Sequence, residues 1–313
     1  MKGPREDAVL DGRRALINDA LRRNIESADE LPDVARQALR SATASGKRVR
    51  PTITLLACQS VGGHPQNALD AAVAIEFIHC ASLIVDDVID ENEVRRGQET
   101  IHAKFGTDLA VMVSMVLMTR ALRLVVHNDE IIAELVAAVD DLSVGECMDI
   151  RAGKVDVGSY ISMASKKTAA LFRLAAESGA LLGGAGSEQR FALRAFGQNL
   201  GIAFQIRDDV LDAAGDENTL GKPAGSDLLL GRPSMVSVLL SKKLGVALPE
   251  LAVALAGPTT DGIPDPVRDA VDDAMTACRA YVDQAASALN AIPDSLPRRH
   301  LAGLLHYAVN RWE

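Results

Sequence analysis

A chain of 313 residues with 48% hydrophobic content can bury one large core or two ordinary ones. Only 3% of it is aromatic, while Ala and Leu abound, a balance that favours helices over sheets. The net charge of -9 excludes a general surface for nucleic acid or anionic membranes, yet leaves room for a local basic pocket.

The charged start, Met1-Lys2-Gly3-Pro4-Arg5-Glu6-Asp7, carries no apolar stretch of the signal-peptide kind. Apolar residues at three- and four-residue intervals then predict helices over 8–28, 33–44, 50–61, 66–91, 107–127, 129–151, 158–184, 187–213 and 233–244. No run alternates as a strand does. Breakers such as Gly62-Gly63-His64-Pro65, Gly183-Gly184-Ala185-Gly186 and Ile292-Pro293-Asp294 separate the segments. The irregular stretches are Ala213 to Pro233 and Gly257 to Pro266. The longest apolar run, Leu109 to Met118, is broken by Ser114 and falls short of the ~20 residues that span a bilayer, so no transmembrane segment is expected. Cys58, Cys80, Cys147 and Cys278 are scattered without metal-finger spacing and read as reduced thiols of a cytoplasmic protein. With no linker and no short-period repeat, the expectation is one all-α domain over 1–313.

Two of the predicted helices end on nearly identical pentapeptides, Asp86-Asp87-Val88-Ile89-Asp90 and Asp208-Asp209-Val210-Leu211-Asp212. On a helix, positions i and i+4 share a face, so Asp86 points with Asp90 and Asp208 with Asp212, while Asp87 and Asp209 turn aside. Carboxylates behind apolar lead-ins are costly unless a cation neutralises them. Mg²⁺ suits such a rim, because it takes oxygen ligands and keeps waters and phosphates in its shell. A lone acidic helix end is commonly just solvated; duplication of the motif argues against that reading.

Cations complete the pattern. Gly46-Lys47-Arg48-Val49-Arg50-Pro51 places three of them in four positions before a helix start, and Arg95-Arg96-Gly97 follows the first Asp motif. Singly, such residues are surface charge; beside metal-binding carboxylates they make a second anion pocket, for which the planar fork of Arg is well shaped. Gln205 lies three residues before Asp208 and shares its face. Lys222 lies in the polar loop, which is long enough to fold over the site.

In this order, Gly46-Lys47-Arg48-x-Arg50-Pro51, His79-x-x-Ser82-Leu83-Ile84-x-Asp86-Asp87-x-x-Asp90, Arg95-Arg96-Gly97, Lys167-Thr168, Phe204-Gln205-x-x-Asp208-Asp209-x-x-Asp212 and Gly221-Lys222-x-x-Gly225-x-Asp227 closely resemble the motifs of the trans-isoprenyl diphosphate synthases, or polyprenyl synthetases. The resemblance covers roughly residues 40–245. It implies an all-α, isoprenoid-synthase-type helical bundle around a deep central apolar cavity, a homodimer, and head-to-tail condensation of isopentenyl diphosphate with an allylic prenyl diphosphate. By position it assigns Mg²⁺, three ions with the allylic diphosphate bound, to Asp86, Asp90 and Asp208, assisted by Asp87, Asp209 and Asp212. It assigns isopentenyl diphosphate to Lys47, Arg50, His79 and Arg96. It assigns the allylic diphosphate to Arg95, Lys167, Thr168, Gln205, Lys222 and Arg232, and the catalytic roles to Lys167, Thr168, Gln205 and Lys222.

The chain also departs from the family pattern. Ser114-Met115 stands where a Gly-Asp pair is usual, Arg232-Pro233-Ser234-Met235-Val236 replaces Lys-x-Thr-Leu-Pro, and Val85 occupies a position that is often His. Ser82 lies one turn below Asp86, with Ala81 beside it, and neither blocks a growing chain as Phe or Tyr would. The expected product is therefore longer than farnesyl, with a lower floor at Ile78 or Met115. Met112, Met115 and Met118 at helical spacing otherwise read as core, since Met fills irregular gaps. Two rival readings share the fold. A terpene cyclase or coupling enzyme would lack need of the isopentenyl diphosphate cations and be rich in aromatics. A regulatory subunit would have lost a carboxylate motif.

Overall fold

The computed structural model describes residues 6–27, 30–95, 97–150, 155–214, 225–255 and 265–309. The chain divides into two compact units, each described by itself. The first comprises Met1–Ala137, Leu174–Arg194 and Ala291–Leu304, and the second comprises Ala138–Arg173, Ala195–Asn290 and Leu305–Glu313.

The first unit holds α1 (Glu6–Glu26), α2 (Asp33–Ala44), α3 (Val49–Ser60), α4 (Leu69–Ile89), α5 (Ile101–Phe105), α6 (Thr107–Val125) and the start of α7 (Asp129–Ile150). The helix α4 is entered through a 3-10 turn, Pro65–Ala68, where His64 caps by accepting from the Gln66 backbone N–H. Most of α4 is buried, including Val73, Ile75, Phe77 and Ile78. By length and composition Pro65–Ile89 is apolar enough to cross a membrane (mean hydropathy 1.8), and 72% of its apolar window is buried inside the protein. That stretch, and not 109–118, is the most apolar helix. Ala, Cys and Ser dilute its sequence without dividing it.

Against α4 packs α6, which turns Ala110, Val113, Ser114, Leu117 and Ala121 to the core at i, i+3, i+4, i+7 and i+11. Met112 and Met115 fall on the other face, 54% and 56% exposed, which overturns their reading as core residues. Between α4 and α5, Val94–Arg95 and Gln98–Glu99 pair antiparallel as β1 and β2, too short for alternation to reveal in the sequence.

In the second unit, α8 (Val157–Ala164) runs through a π-helical segment, Ser165–Ala169, into α9 (Ala170–Leu182), whose residues from Leu174 on belong to the first unit. The side chain of Asp156 caps α8 by accepting from the Ser159 N–H, 2.8 Å. Then follow α10 (Ser187–Ala214), which belongs to this unit from Ala195 on, α11 (Ser226–Leu230), α12 (Met235–Leu244), α13 (Leu251–Ala254) and α14 (Asp265–Ala288), while α15 (Leu296–Val309) belongs to the first unit up to Leu304. The core of this unit joins Tyr160, Met163, Ile206, Val210, Val236 and Leu240 to Ala270, Ala274 and Cys278 of α14. Every predicted helix is present with its ends within three residues of those expected, the span 158–184 being interrupted by the π segment. Of the longer helices the periodicity missed α14 and α15; the buried positions of α14 are mostly Ala and give little hydropathy contrast with the Asp and Arg between them.

Candidate active site

The carboxylates of the first motif sit in the last turn of α4, with Asp90 as its C-cap. A helix C-terminus carries partial negative charge, so acids there are disfavoured by ~0.3–1 kcal/mol each until a cation arrives. Asp86 is half-buried, Asp87 buried and Asp90 exposed. Asp87 Oδ1 accepts from Arg95 Nε, 2.7 Å, so β1 returns a cation to the helix end. The return turn is tight: Glu91 has φ +53°, unusual for a non-Gly residue, and the Asn92 N–H reaches the Asp87 carbonyl at 3.0 Å.

The cation-rich segment before α3 behaves unevenly. Lys47 is exposed and Arg50 half-buried, but Arg48 is buried, contrary to its reading as surface or anion-pocket charge. Arg50 Nη1 lies 3.1 Å from His79 Nε2. Guanidinium has no acceptor, so Nε2 accepts and the proton of the neutral ring sits on Nδ1. The structure therefore joins two of the residues assigned to isopentenyl diphosphate, which stand 29 apart in sequence.

The second motif lies in the last turns of α10, again at a helix C-terminus. Here Asp209 is buried and accepts from three donors: Tyr160 Oη at 2.5 Å, Gln205 Nε2 at 2.9 Å and the Met235 backbone N–H at 2.7 Å. Burial pushes the Asp209 carboxyl up to about 7 against the pull of those hydrogen bonds. Burial and the neighbouring Asp209 charge likewise raise the Tyr160 hydroxyl. Asp212 is buried too, and its Oδ2 accepts from the Asp227 N–H, 2.9 Å. Asp208 is half-buried.

Gln205 extends this network. With Nε2 committed to Asp209, its Oε1 accepts from Thr168 Oγ1 at 2.5 Å. Lys167 and Thr168 belong to the π segment, a feature that concentrates at functional sites. Lys167 Nζ pairs with Glu146 at 2.9 Å and Asp149 at 2.6 Å, both on α7. The approach of α7 is close because residue 145 is glycine: a Cβ there would lie 2.4 Å from the Lys167 backbone nitrogen.

Arg96 and Lys222, both singled out in the sequence, lie outside the described residues. Arg232 is exposed, and its backbone N–H holds the Asp227 carbonyl at 2.9 Å. The unusual segment around it has a visible job: Ser234 and Ser237 form a capping box that starts α12, and α12 aims the Met235 N–H at Asp209. Of the chain-length residues, Ile78 and Ala81 are buried at 1% and 2%, Ser82 is half-buried and Met115 is exposed. Sequence reasoning missed Tyr160, Glu146, Asp149 and Gly145. Only Tyr160 carried a signal, as one of three tyrosines in the chain.

The donor set fits Mg²⁺. It is made of carboxylate oxygens alone, placed where helix dipoles call for positive charge. Among the described residues no three His, Cys, Asp or Glu side chains converge into a ready-made cage. A hard ion that completes its shell with water and phosphate needs none.

Helix ends that carry acid where the dipole favours base are how one class of all-α enzymes holds a diphosphate through metal: the prenyltransferases of the isoprenoid-synthase fold, of which this chain is one. A model of the polyprenyl synthetase family matches residues 32–247, and the chain belongs to that family. It is 39% identical over 241 residues to a short chain isoprenyl diphosphate synthase of Methanothermobacter thermautotrophicus, covering 71% of this chain and 74% of the relative. It is 34% identical over 284 residues to the octaprenyl diphosphate synthase of Escherichia coli, covering 86% and 87%. Among solved structures it resembles the geranylgeranyl pyrophosphate synthetase of Pyrococcus horikoshii, with a TM-score of 0.87, 31% identity and 98% of each chain covered.

Proposed function

We propose that the protein is an all-trans prenyl diphosphate synthase, condensing isopentenyl diphosphate head to tail with an allylic diphosphate to give geranylgeranyl diphosphate or a longer product. The observation that carries the reading is the pair of carboxylate triplets closing α4 and α10. The names of the relatives, from short-chain to octaprenyl, support the reaction class.

In this reading Asp86, Asp90 and Asp208 would be the principal ligands of Mg²⁺, three ions when the allylic diphosphate is bound. The metal would supply the positive charge that makes diphosphate a competent leaving group. Asp209 is a positioning residue, because its oxygens are engaged by Tyr160, Gln205 and the Met235 N–H. Asp87 likewise fixes Arg95 for the allylic diphosphate. Lys167, Gln205, Lys222 and Arg232 complete that anion site, and Lys47, Arg50, His79 and Arg96 take isopentenyl diphosphate. Thr168 donates its hydroxyl hydrogen bond to Gln205, which leaves its oxygen lone pairs to face the developing allylic cation. The C–O bond to diphosphate breaks, the new C–C bond forms, and the departing diphosphate accepts the lost proton. Charge stabilised on departure, more than in the bound ester, lowers the barrier. The protein acts as a cytoplasmic homodimer of single-domain subunits.

The test is incubation with Mg²⁺, labelled isopentenyl diphosphate and dimethylallyl, geranyl or farnesyl diphosphate, followed by chromatography of the dephosphorylated alcohols. Chains of geranylgeraniol length or longer are expected, and a chelator abolishes them. No incorporation, or farnesol as the sole elongated product, would overturn the reading.

A further inference from the structure

Arg48 stands between two residues assigned to isopentenyl diphosphate, yet it faces the other way. Its side chain is 2% exposed and forms an ion pair with Glu76, itself 5% exposed, through Nη1 to Oε1 at 2.7 Å. Nη1 also donates to the Ser45 carbonyl at 2.8 Å, Nε donates to Asn18 Oδ1 at 2.8 Å, and Nη2 donates to the Thr43 carbonyl. The guanidinium thus ties together α1, the end of α2, the segment before α3, and α4.

The backbone is bent to suit. Arg48 is one of two described non-Gly residues with positive φ, at +55°, and Gly46 has φ +134°. A Cβ on Gly46 would lie 2.8 Å from Arg48 Nη1 and 3.6 Å from Glu76 Oε1, so the glycine makes room for the buried pair. An arginine in the left-handed region is strained, and it persists where the surroundings over-determine it. The result of the bend is that Arg48 goes in while Lys47 is left exposed and Arg50 half-buried.

Glu76 and His79 are three residues apart on α4 and share a face. Arg48 meets the first and Arg50 meets the second, so two rungs join the segment to one helix. Glu76 also cancels the Arg48 charge, so the pair adds no net attraction for an anion.

The geometry points to Arg48 and Glu76 as positioning residues that hold Lys47 and Arg50 over His79, and so set the affinity for the diphosphate of the non-allylic substrate. The inference rests on the isopentenyl diphosphate assignment proposed above. It predicts an effect confined to one of the two substrates.

The experiment compares wild type with the double variant Arg48→Met/Glu76→Leu, which removes both buried charges together and spares the fold the cost of an orphaned one. Calorimetry follows direct binding of isopentenyl diphosphate, and steady-state kinetics follow both substrates. The expected result is a KM for isopentenyl diphosphate raised at least about tenfold, with the allylic KM within about twofold, as removal of one substrate's positioning requires. Glu76→Asp, which keeps a carboxylate for the guanidinium, should retain most of the affinity. If the double variant does not fold, Arg48→Lys carries the same comparison, since lysine retains the charge but not the fork. A variant that loses kcat with both KM values unchanged would overturn the inference while leaving the function standing. A wild-type protein that neither binds nor consumes isopentenyl diphosphate would overturn both.

Discussion

Replacing Gly145 by alanine probes how α7 sets the position of Lys167. The added Cβ would lie 2.4 Å from the Lys167 nitrogen, 2.7 Å from its Cα and 2.9 Å from the Lys166 carbonyl carbon. All three are backbone atoms, so no side chain can swing aside, and relief needs a shift of about 1 Å in the π segment or in α7. Overpacking of this kind costs ~1–3 kcal/mol, offset by ~1 kcal/mol from the better helix propensity of alanine. A net loss of up to ~2 kcal/mol lowers the melting temperature by up to roughly 3 °C in a chain of this size. The functional effect should be larger. A displacement of ~1 Å moves Lys167 and Thr168 together, and misplacement on that scale can cost about 10²-fold in rate. Thermal unfolding and kcat with isopentenyl and farnesyl diphosphates measure the two effects. Gly303→Ala is the control, because nothing lies within 4 Å of its built Cβ and only the propensity gain remains. If Gly145→Ala matched wild type in melting temperature and kept kcat within about twofold, the close approach would not be what positions Lys167.

Tyr160→Phe removes a charge-assisted bond to buried Asp209 and should cost ~1.5–3 kcal/mol by denaturant titration; Tyr281→Phe, partly buried, serves as comparison. Ser82→Phe should shorten the product seen by chromatography with little loss of stability, because Ser82 is half-buried. Ala81→Phe should shorten it too, but at ~1–3 kcal/mol, since Ala81 is 2% exposed and a ring must displace neighbours. Burial raises the Asp141 carboxyl, but hydrogen bonds from Lys166 and Arg173 prevail and hold it below its ordinary 3.8. The stability it contributes is therefore complete above that value and is lost as pH falls through the depressed one. Asp141→Asn should flatten that acid limb of the melting-temperature profile.

The part of the site that could be read from sequence is the part written contiguously. Each Asp triplet fits within five residues, and the 3.6-residue period alone fixes which oxygens share a face. The longer helices were legible for the same reason, apart from α14, whose alanine stripe hides its buried face, and α15. What escaped was decided by contacts between distant segments. Tyr160 and Asp209 stand 49 residues apart, and nothing local to either announces the other. Arg48 was read by its charge, whereas its role follows from a backbone bend and from Glu76, 28 residues on. Met112 and Met115 were read by composition, but the face they occupy was decided by α6 docking through Ala110, Val113 and Leu117.

The π segment between α8 and α9 holds one residue more than the α turn it replaces, an insertion absorbed within an otherwise continuous rod. On one side α8 buries Tyr160 and Met163, and on the other α9 buries Phe172 and Ala176. Deleting one residue of Ser165–Ala169 would close the wide turn into a regular helix and leave both sets of anchors near their present faces. The loss would fall on the widened turn itself, where Lys167 meets Glu146 and Asp149 and Thr168 meets Gln205. The extra residue therefore serves the polar side chains of the turn more than the packing to either side of it.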